Sequence, residues 1–386
     1  MKHRNSVPSA LSRFRHGRRR VVVGIAATGM LTAAPLGVAP WASGSASAAP
    51  KADSFVQTNL ISDLSTEGAQ IVDPDLLNPW GLAFDPMSLW VSDNNGNVST
   101  VYGIAPGGLS ATPNELTVNI PGGRASTGDG SSPTGQVFNS TSGFVVSSSS
   151  GSGPAAFITD SESGQITGWN PAAGLNNAVL EFSSRTAVYK GLAIATGDQG
   201  TFLYAANFHD RSVDVFNSSF QPTQMPGGFT DPSIPSNYAP FGIQDIHNLI
   251  YVSYAQQDAS GHDDVPGIGH GFIDVYTPDG FLVQRLAKHG LLNSPWGMAI
   301  APSTFGQFAG KLLVGNFRDG RINVFDPVSG RFMGQVKDTQ GKPITIPGLW
   351  ALTPGTATQG GTGTIIFSAG INDENDGLVG SLNPAS

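Results

Sequence analysis

The chain has 386 residues, of which 12% are charged, 39% are hydrophobic and 50 are glycine, and its net charge is −8. It holds no cysteine, which excludes thiolate chemistry, cysteine zinc sites, iron–sulfur clusters and a disulfide framework. The negative balance repels phosphate backbones, so nucleic acid is not an expected partner.

Residues 1–48 read as a secretory signal. Arg18-Arg19-Arg20 is a basic n-region, residues 21–38 form an apolar stretch broken by Gly and Pro, and Ala46-Ser47-Ala48 is a small-residue cleavage site. The apolar run is short and interrupted for a membrane anchor, and no second span follows. The segment takes seven of the 20 basic residues and none of the acids, which leaves residues 49–386 with 13 bases against 28 acids. The expectation is a bacterial, secreted, extracellular monomer, loosely wall-associated at most. The arginine cluster leaves the Sec and twin-arginine routes both open.

Beyond the signal, one unit recurs. Its clearest copy is residues 293–326, where Pro295-Trp296-Gly297 leads into an apolar run, KLLVGN (311–316), a turn at Asp319-Gly320, and RINVF (321–325). Short apolar strands joined by tight turns make an antiparallel meander. In chain order, the first unit has GLAF from Gly81, SLWVSD (88–93) and NVSTVY (97–102). The second starts near Gly143 with GFVV, followed by AAFITD (155–160) and QITGWN (165–170). The third has KGLAIA (190–195), FLYAAN (202–207) and SVDVF (212–216). The fourth has FGIQDI (241–246), LIYVSYA (249–255) and FIDVY (272–276). After the 293–326 copy, the sixth has LWALT (349–353), TIIFSAG (364–370) and LVGSL (378–382).

Gly81, Gly143, Gly191, Gly242, Gly297 and Gly348 mark the phase at a spacing of about 50 residues, that of four-stranded propeller blades. FLVQRL (281–286) and RFMGQV (331–336) supply outer strands. The sixth unit stops after three strands, whereas FVQTNLISD (55–63) precedes the first with no meander of its own. This spare strand is expected to complete the sixth blade and latch the ring. The fold class is therefore all-β, a single six-bladed β-propeller over residues 49–386. A sandwich would not explain six phased copies, and a β-helix would need shorter repeats.

NPWG (78–81), PTGQVFN (133–139), ITGWNP (166–171), YKGLA (189–193), LYAANF (203–208), APFGIQ (239–244), LNSPWG (292–297) and LLVGNFRDG (312–320) lie along this frame. With QD and HDDV inside 257–265 and GLW and FSAG inside 348–370, they cover about 54–382. On these motifs the chain resembles an uncharacterised secreted bacterial propeller family related to NHL-repeat proteins, some members of which carry a PEP-CTERM sorting tail. The resemblance implies the propeller fold and export, and it brings no reaction. The chain ends in LNPAS without a sorting tail, which favours release.

In a propeller blade the innermost strand lines the axial channel. The loop before it and the loop between the second and third strands open on one face. That channel mouth is expected to gather Trp80, Phe241, Trp296 and Leu349-Trp350. The same face receives Asp93-Asn94-Asn95, Asp160, Asn207 with His209, Asn316 with Arg318, and Asn372-Asp373. Apolar walls with a few converging polar groups describe a ligand site. The blander alternative is that Pro-Trp-Gly packs blades together and that Asp or Asn at a strand end is turn chemistry.

The fourth unit carries an insertion at 255–271 (AQQDASGHDDVPGIGHG) on the same face. Its Asp258, His262, Asp263, Asp264 and His270 offer oxygen and imidazole donors for Ca²⁺, Mn²⁺ or Zn²⁺, at a spacing that matches no defined metal motif. Long loops of this kind are where scaffolds place function. NDENDG (372–377) has alternate oxygens, but Asn383 stands where an EF-hand needs its bidentate Glu. There is no G-x-S-x-G, H-E-x-x-H or phosphate loop. Three readings follow: a secreted propeller binding a glycan, small molecule, wall component or protein through its mouth; a metal-assisted enzyme of the lactonase or lyase kind; and a structural matrix or coat component.

Overall fold

The computed structural model describes residues 53–122 and 130–385; the expected signal lies outside them. The expected six blades are present. Blade one consists of Pro79–Phe84, Leu89–Asp93, Val98–Ile104 and Ala111–Asn119, hydrogen-bonded in that order. Blade two has Pro133–Phe138, Phe157–Ser161, Gln165–Trp169 and Val179–Ser183. Blade three has Tyr189–Gly197, Gly200–Asn207, Ser212–Phe216 and Pro222–Thr223. Blade four has Tyr238–Ile246, Leu249–Gln256, Phe272–Tyr276 and Leu282–Lys288. Blade five has Pro295–Ile300, Leu312–Asn316, Ile322–Phe325 and Phe332–Gln335.

Blade six takes Leu349–Pro354, Ile365–Gly370 and Asp376–Pro384 from the end of the chain and Phe55–Ser62 from its start. The last two pair antiparallel from Phe55 with Pro384 to Ser62 with Leu378, so main-chain hydrogen bonds latch the ring. The inner strands pack in sequence, and the sixth returns to the first.

Strands such as Leu89–Asp93 and Phe157–Ser161 are buried at every position, because each sheet is covered on both faces by its neighbours. Among the described residues the core divides into six clusters, one at each blade interface, the one between blades six and one also taking in the rings at the axis. Between blades one and two, for example, Trp90 stacks on Phe157 with ring centroids 4.1 Å apart. Burial of such a ring contributes about 2–3 kcal/mol.

The phase marks need correction at two blades. The inner strand of blade two is Pro133–Phe138, and GFVV lies outside the ring in a hairpin, Val145–Ser148 with Gly151–Pro154. At the axis the equivalent positions are Gly81, Gly135, Gly191, Gly242, Gly297 and Ala351. A Cβ on Gly81 would lie 2.5 Å from Thr134 O, on Gly135 2.1 Å from Leu192 N, on Gly242 2.1 Å from Trp296 O and on Gly297 2.4 Å from Trp350 O. Each of these contacts is with the inner strand of the next blade. The recurring glycine therefore lets neighbouring backbones touch around the axis, a requirement that Gly143 and Gly348 do not meet.

Candidate ligand site at the channel mouth

The residues just before the axial positions are Trp80, Thr134, Lys190, Phe241, Trp296 and Trp350. Four are aromatic, and they fill the end of the channel. Trp80 stacks on Trp350 at 3.4 Å between centroids, Phe317 stacks on the other side of Trp350 at 3.9 Å, and Trp296 meets Trp80 and Trp350 edge-on at 6.2 and 5.8 Å. None of these rings is more than 9% exposed. Below them a cavity of about 20 Å³, lined by Gly81, Gly135, Gln136 and Gly297, has room for a single water. The expected aromatic mouth is thus an aromatic plug, and a ligand there would meet polar groups above it.

Lys190, from blade three, is the charged residue among the six. Its Nζ lies 5.4 Å from the centroid of Trp80 and 5.9 Å from that of Phe208. It pairs with Glu162 of blade two and lies 3.7 Å from Asp263 Oδ1 of the blade-four insertion. Burial alone would push the ammonium down, but Glu162, Asp263 and Asp264 reverse this and raise it, so the group stays charged. Glu162 also accepts a hydrogen bond from Asn94 Nδ2 at 3.1 Å.

Opposite, Glu374 of blade six accepts a hydrogen bond from Asn78 Nδ2 at 3.2 Å, and Asn78 Oδ1 accepts one from Trp350 Nε1 at 3.1 Å. Burial first, and then Glu162, raise the Glu374 carboxyl; Asn78, Lys190 and Arg318 oppose them. Glu374 ends a run of three residues in left-handed conformation, with φ of 53° at Asn372, 54° at Asp373 and 66° at Glu374. L-residues avoid that region at about 1–2 kcal/mol each, and strain of this kind concentrates at functional sites. A cavity of about 190 Å³ opens here, lined by Phe317, Arg318, Pro347, Gly348, Asp373 and Glu374.

The expected residues fall into two groups. Arg318, His262, Asp263 and Asp264 join Glu162, Lys190 and Glu374 in a ring of charged groups above the plug. Arg318 grips Asp264 with Nε–Oδ2 and Nη2–Oδ1 distances of 2.7 Å and lies 4.5 Å from the Phe317 centroid. His262 Nδ1 lies 3.0 Å from Asp263 Oδ1; this contact raises the imidazole and is the main cause that brings the Asp263 carboxyl down to about 2. Donor atoms of Glu162, His262 and Asp263 lie within 4.8 Å of one another, a geometry that could hold a cation.

The others brace the fold. Asp93 accepts from Thr100 N at 3.0 Å and Oγ1 at 2.8 Å, fully buried within blade one. Asp160 accepts from Thr134 Oγ1 at 2.8 Å and Gly135 N at 2.6 Å, and burial pushes it up to about 7. Asn207 donates to Asp210 and Asp214, and Asn316 to Asp319 in its own turn and to Leu291 O in the loop before the inner strand of blade five. Asp258 caps the insertion by accepting from His262 N at 3.0 Å. His209 lies against Gly261 of the insertion, and His270 Nδ1 is 3.1 Å from Val265 O. Neither histidine joins the three-residue cluster.

Sequence reasoning missed Glu162, Lys190 and Glu374. A signal for two of them existed. Glu162 stands two residues past Asp160, as Arg318 stands two past Asn316, and Lys190 precedes an axial glycine at a position where four of the other five blades place an aromatic ring.

No family model matches the sequence. An uncharacterized protein of Acanthamoeba polyphaga mimivirus is 36% identical over 322 residues, covering 80% of this chain and 81% of its own length. A second uncharacterized protein of the same virus is 33% identical over 332 residues, covering 84% of this chain and 78% of its own length. The chain belongs to the family of these viral proteins. Among solved structures, an α-L-arabinanase of Penicillium chrysogenum is similar with a TM-score of 0.52 at 10% identity, covering 85% of this chain and 98% of its own. The PQQ-bound aldose sugar dehydrogenase of Streptomyces coelicolor is similar with a TM-score of 0.50 at 14% identity, covering 86% and 99%. These likenesses bear out the propeller part of the resemblance, and the relatives found are viral. Among the described residues, no helix is long and apolar enough to cross a membrane.

Proposed function

We propose that the chain is an exported propeller that binds a small polyhydroxylated ligand, of monosaccharide size, on the charged ring above the aromatic plug. One observation carries this reading: one polar side chain from each blade joins a single network of hydrogen bonds, ion pairs and charge contacts at this end of the channel. They are Asn94, Glu162, Lys190, Asp263, Arg318 and Glu374 in blade order. Carboxylates beside fixed cations offer acceptors and donors side by side, which suits neighbouring hydroxyls. The acids outnumber the bases, which disfavours an anion, and the cavity of about 190 Å³ beside Arg318 and Glu374 is small for a polymer. Calorimetric titration with a panel of neutral sugars, sugar acids and amino acids tests it. A neutral sugar should bind, and Glu374→Gln should weaken it roughly tenfold. Silence across the panel, or binding indifferent to Glu374→Gln, would sink the reading. Export predicts a secreted protein whose N-terminus lies near Ala49; full-length protein retained in cells would count against it.

A second reading rests on the cluster of Glu162, His262 and Asp263. A divalent cation held there would support a lactonase or lyase type of reaction. It would have to displace the Lys190 ammonium, which already serves both carboxylates. Protein that purifies without metal, and whose melting temperature ignores EDTA and added Ca²⁺, would remove it.

A further inference from the structure

The chain is acidic, yet one sector of it is basic. Residues 285–342 hold eight of the 13 bases of residues 49–386 and three of the 28 acids, which leaves the remainder with five bases against 25 acids. Three of the eight are engaged within the fold: Arg285 with Asp274 and Asp231, Lys311 with Asp326, and Arg318 with Asp264. Lys288, Arg321, Arg331, Lys337 and Lys342 are exposed, and none of them joins an ion pair among the described residues. They lie along the outer part of blades four and five. Lys288 ends the outer strand of blade four, Arg331 leads into that of blade five, and Lys337 and Lys342 stand in the segment after it.

A groove of about 420 Å³ lies between these two outer strands. Leu286, Lys288, His289 and Leu291 line it from the blade-four side, Phe325 and Phe332 from blade five, and its lining contains no acidic residue. A Cβ on Gly330 would collide with Leu286 O, so the blades touch at this point and the groove has a floor. Phe332 and Leu291 are 44% and 40% exposed, so large apolar side chains stand in water beside cations that nothing answers. Apolar surface rimmed by charge marks an interaction site, and an unbalanced positive field in an acidic protein selects a negative partner. A polyanion without apolar groups would leave Phe332 and Leu291 in water, and a bilayer surface cannot enter a recess between blades. An extended peptide can satisfy both, because successive side chains point to opposite faces. We propose that this groove docks an extended acidic segment of a partner protein, its apolar residues on Phe332 and Leu291 and its alternating carboxylates on Lys288 and Arg331. The groove lies on the outer edge of the ring, and it stands or falls independently of the sugar site at the channel mouth.

The probe is a fluorescein-labelled peptide in which glutamate alternates with leucine and phenylalanine, followed by anisotropy as intact protein is added. Its comparisons are the same peptide with lysine for glutamate, polyglutamate, and polygalacturonate. The acidic apolar peptide should bind saturably and more weakly as ionic strength rises, the lysine peptide should not bind, and both polyanions should bind less tightly. The double variant Lys288→Glu, Arg331→Glu should weaken peptide binding roughly tenfold or more, since two attractions become repulsions. Phe332→Ser should weaken it several-fold without changing the charge. All three positions are exposed, so the fold should tolerate these changes. Glu374→Gln should leave binding unchanged. Absence of saturable binding, or binding indifferent to both groove variants, would overturn the proposal. So would polyglutamate or polygalacturonate that binds as tightly as the peptide, which would make the sector a general polyanion surface. Light scattering that shows a dimer dissolved by the double variant would overturn it in favour of a second copy of the chain.

Discussion

Lys190 Nζ stands 5.4 Å from the centre of the Trp80 ring, although the two residues belong to blades three and one. They can meet only because six inner strands converge on one axis. The ammonium is buried, and its charge is answered by Glu162 and, more distantly, by Asp263. Lys190→Met keeps the length of the side chain and leaves Glu162 without its cation. The expected loss is about 3 kcal/mol or more, because breaking a buried pair strands the remaining charge. The double variant Lys190→Met, Glu162→Gln should recover most of that loss. Equilibrium denaturation of the three variants checks both statements; an additive double variant would contradict the pairing.

The blade frame is legible because it rests on short-range signals: short apolar runs, tight turns such as Asp319-Gly320, and a glycine within the inner strand of five of the six blades. It fails at blade six, where the axial residue is Ala351 and not Gly348, and at blade two, where Gly143 imitates the signal and the true axial residue is Gly135. What distinguishes them is the approach of the Leu192 backbone, a contact that arises only once the ring is closed. The candidate site was legible in part. His262, Asp263, Asp264 and Arg318 came from loops chosen for their chemistry. Lys190 and Glu374 looked like strand and turn residues, since their importance comes from neighbours more than 25 positions away in the chain, such as Glu162 and Asn78.

The axial glycines should differ in their tolerance to alanine. In Gly297→Ala the new Cβ would meet Trp350 O at 2.4 Å and Leu352 N at 2.8 Å, backbone atoms that cannot move aside. The expected cost is about 3 kcal/mol or more. In Gly191→Ala the nearest atoms are Phe241 O at 3.3 Å and Ile243 N at 3.4 Å, so the cost should stay near 1 kcal/mol or less. Comparing urea midpoints of the two variants decides the matter, and equal midpoints would refute the axial-contact explanation.

Asp160 gives a pH dependence with a definite sign. Its carboxyl titrates near 3.8 when unfolded and is pushed up to about 7 when buried. Below about pH 4 both states hold the proton and nothing is lost. Between pH 4 and 7 only the unfolded state ionises, so stability falls as pH rises, by roughly 4 kcal/mol in all. Asp160→Asn lacks this titration. Its stability relative to wild type should therefore improve by that order between pH 4 and 8, as read from denaturation at the two pH values. A constant difference would show that Asp160 is ionised in the fold.

The left-handed run at Asn372, Asp373 and Glu374 should be strained. Asp373→Gly relieves one such residue and should raise stability by about 1 kcal/mol, less the entropy that glycine adds to the unfolded chain. If the strain serves to present Glu374 to the mouth, the same change should weaken ligand binding there. A variant that is less stable than wild type would remove strain from the account.

The most direct test of the central claim is the intrinsic fluorescence of the plug. Trp80 and Trp350 stack directly beneath the charged ring, with Lys190 over Trp80. A sugar that binds the ring should perturb these indoles and give a saturable change in emission, with the same midpoint as the calorimetric titration and a midpoint roughly tenfold higher in Glu374→Gln. If a calorimetrically confirmed sugar leaves the emission unchanged, or shifts it with the same midpoint in Glu374→Gln, the mouth above the tryptophans is not the binding site.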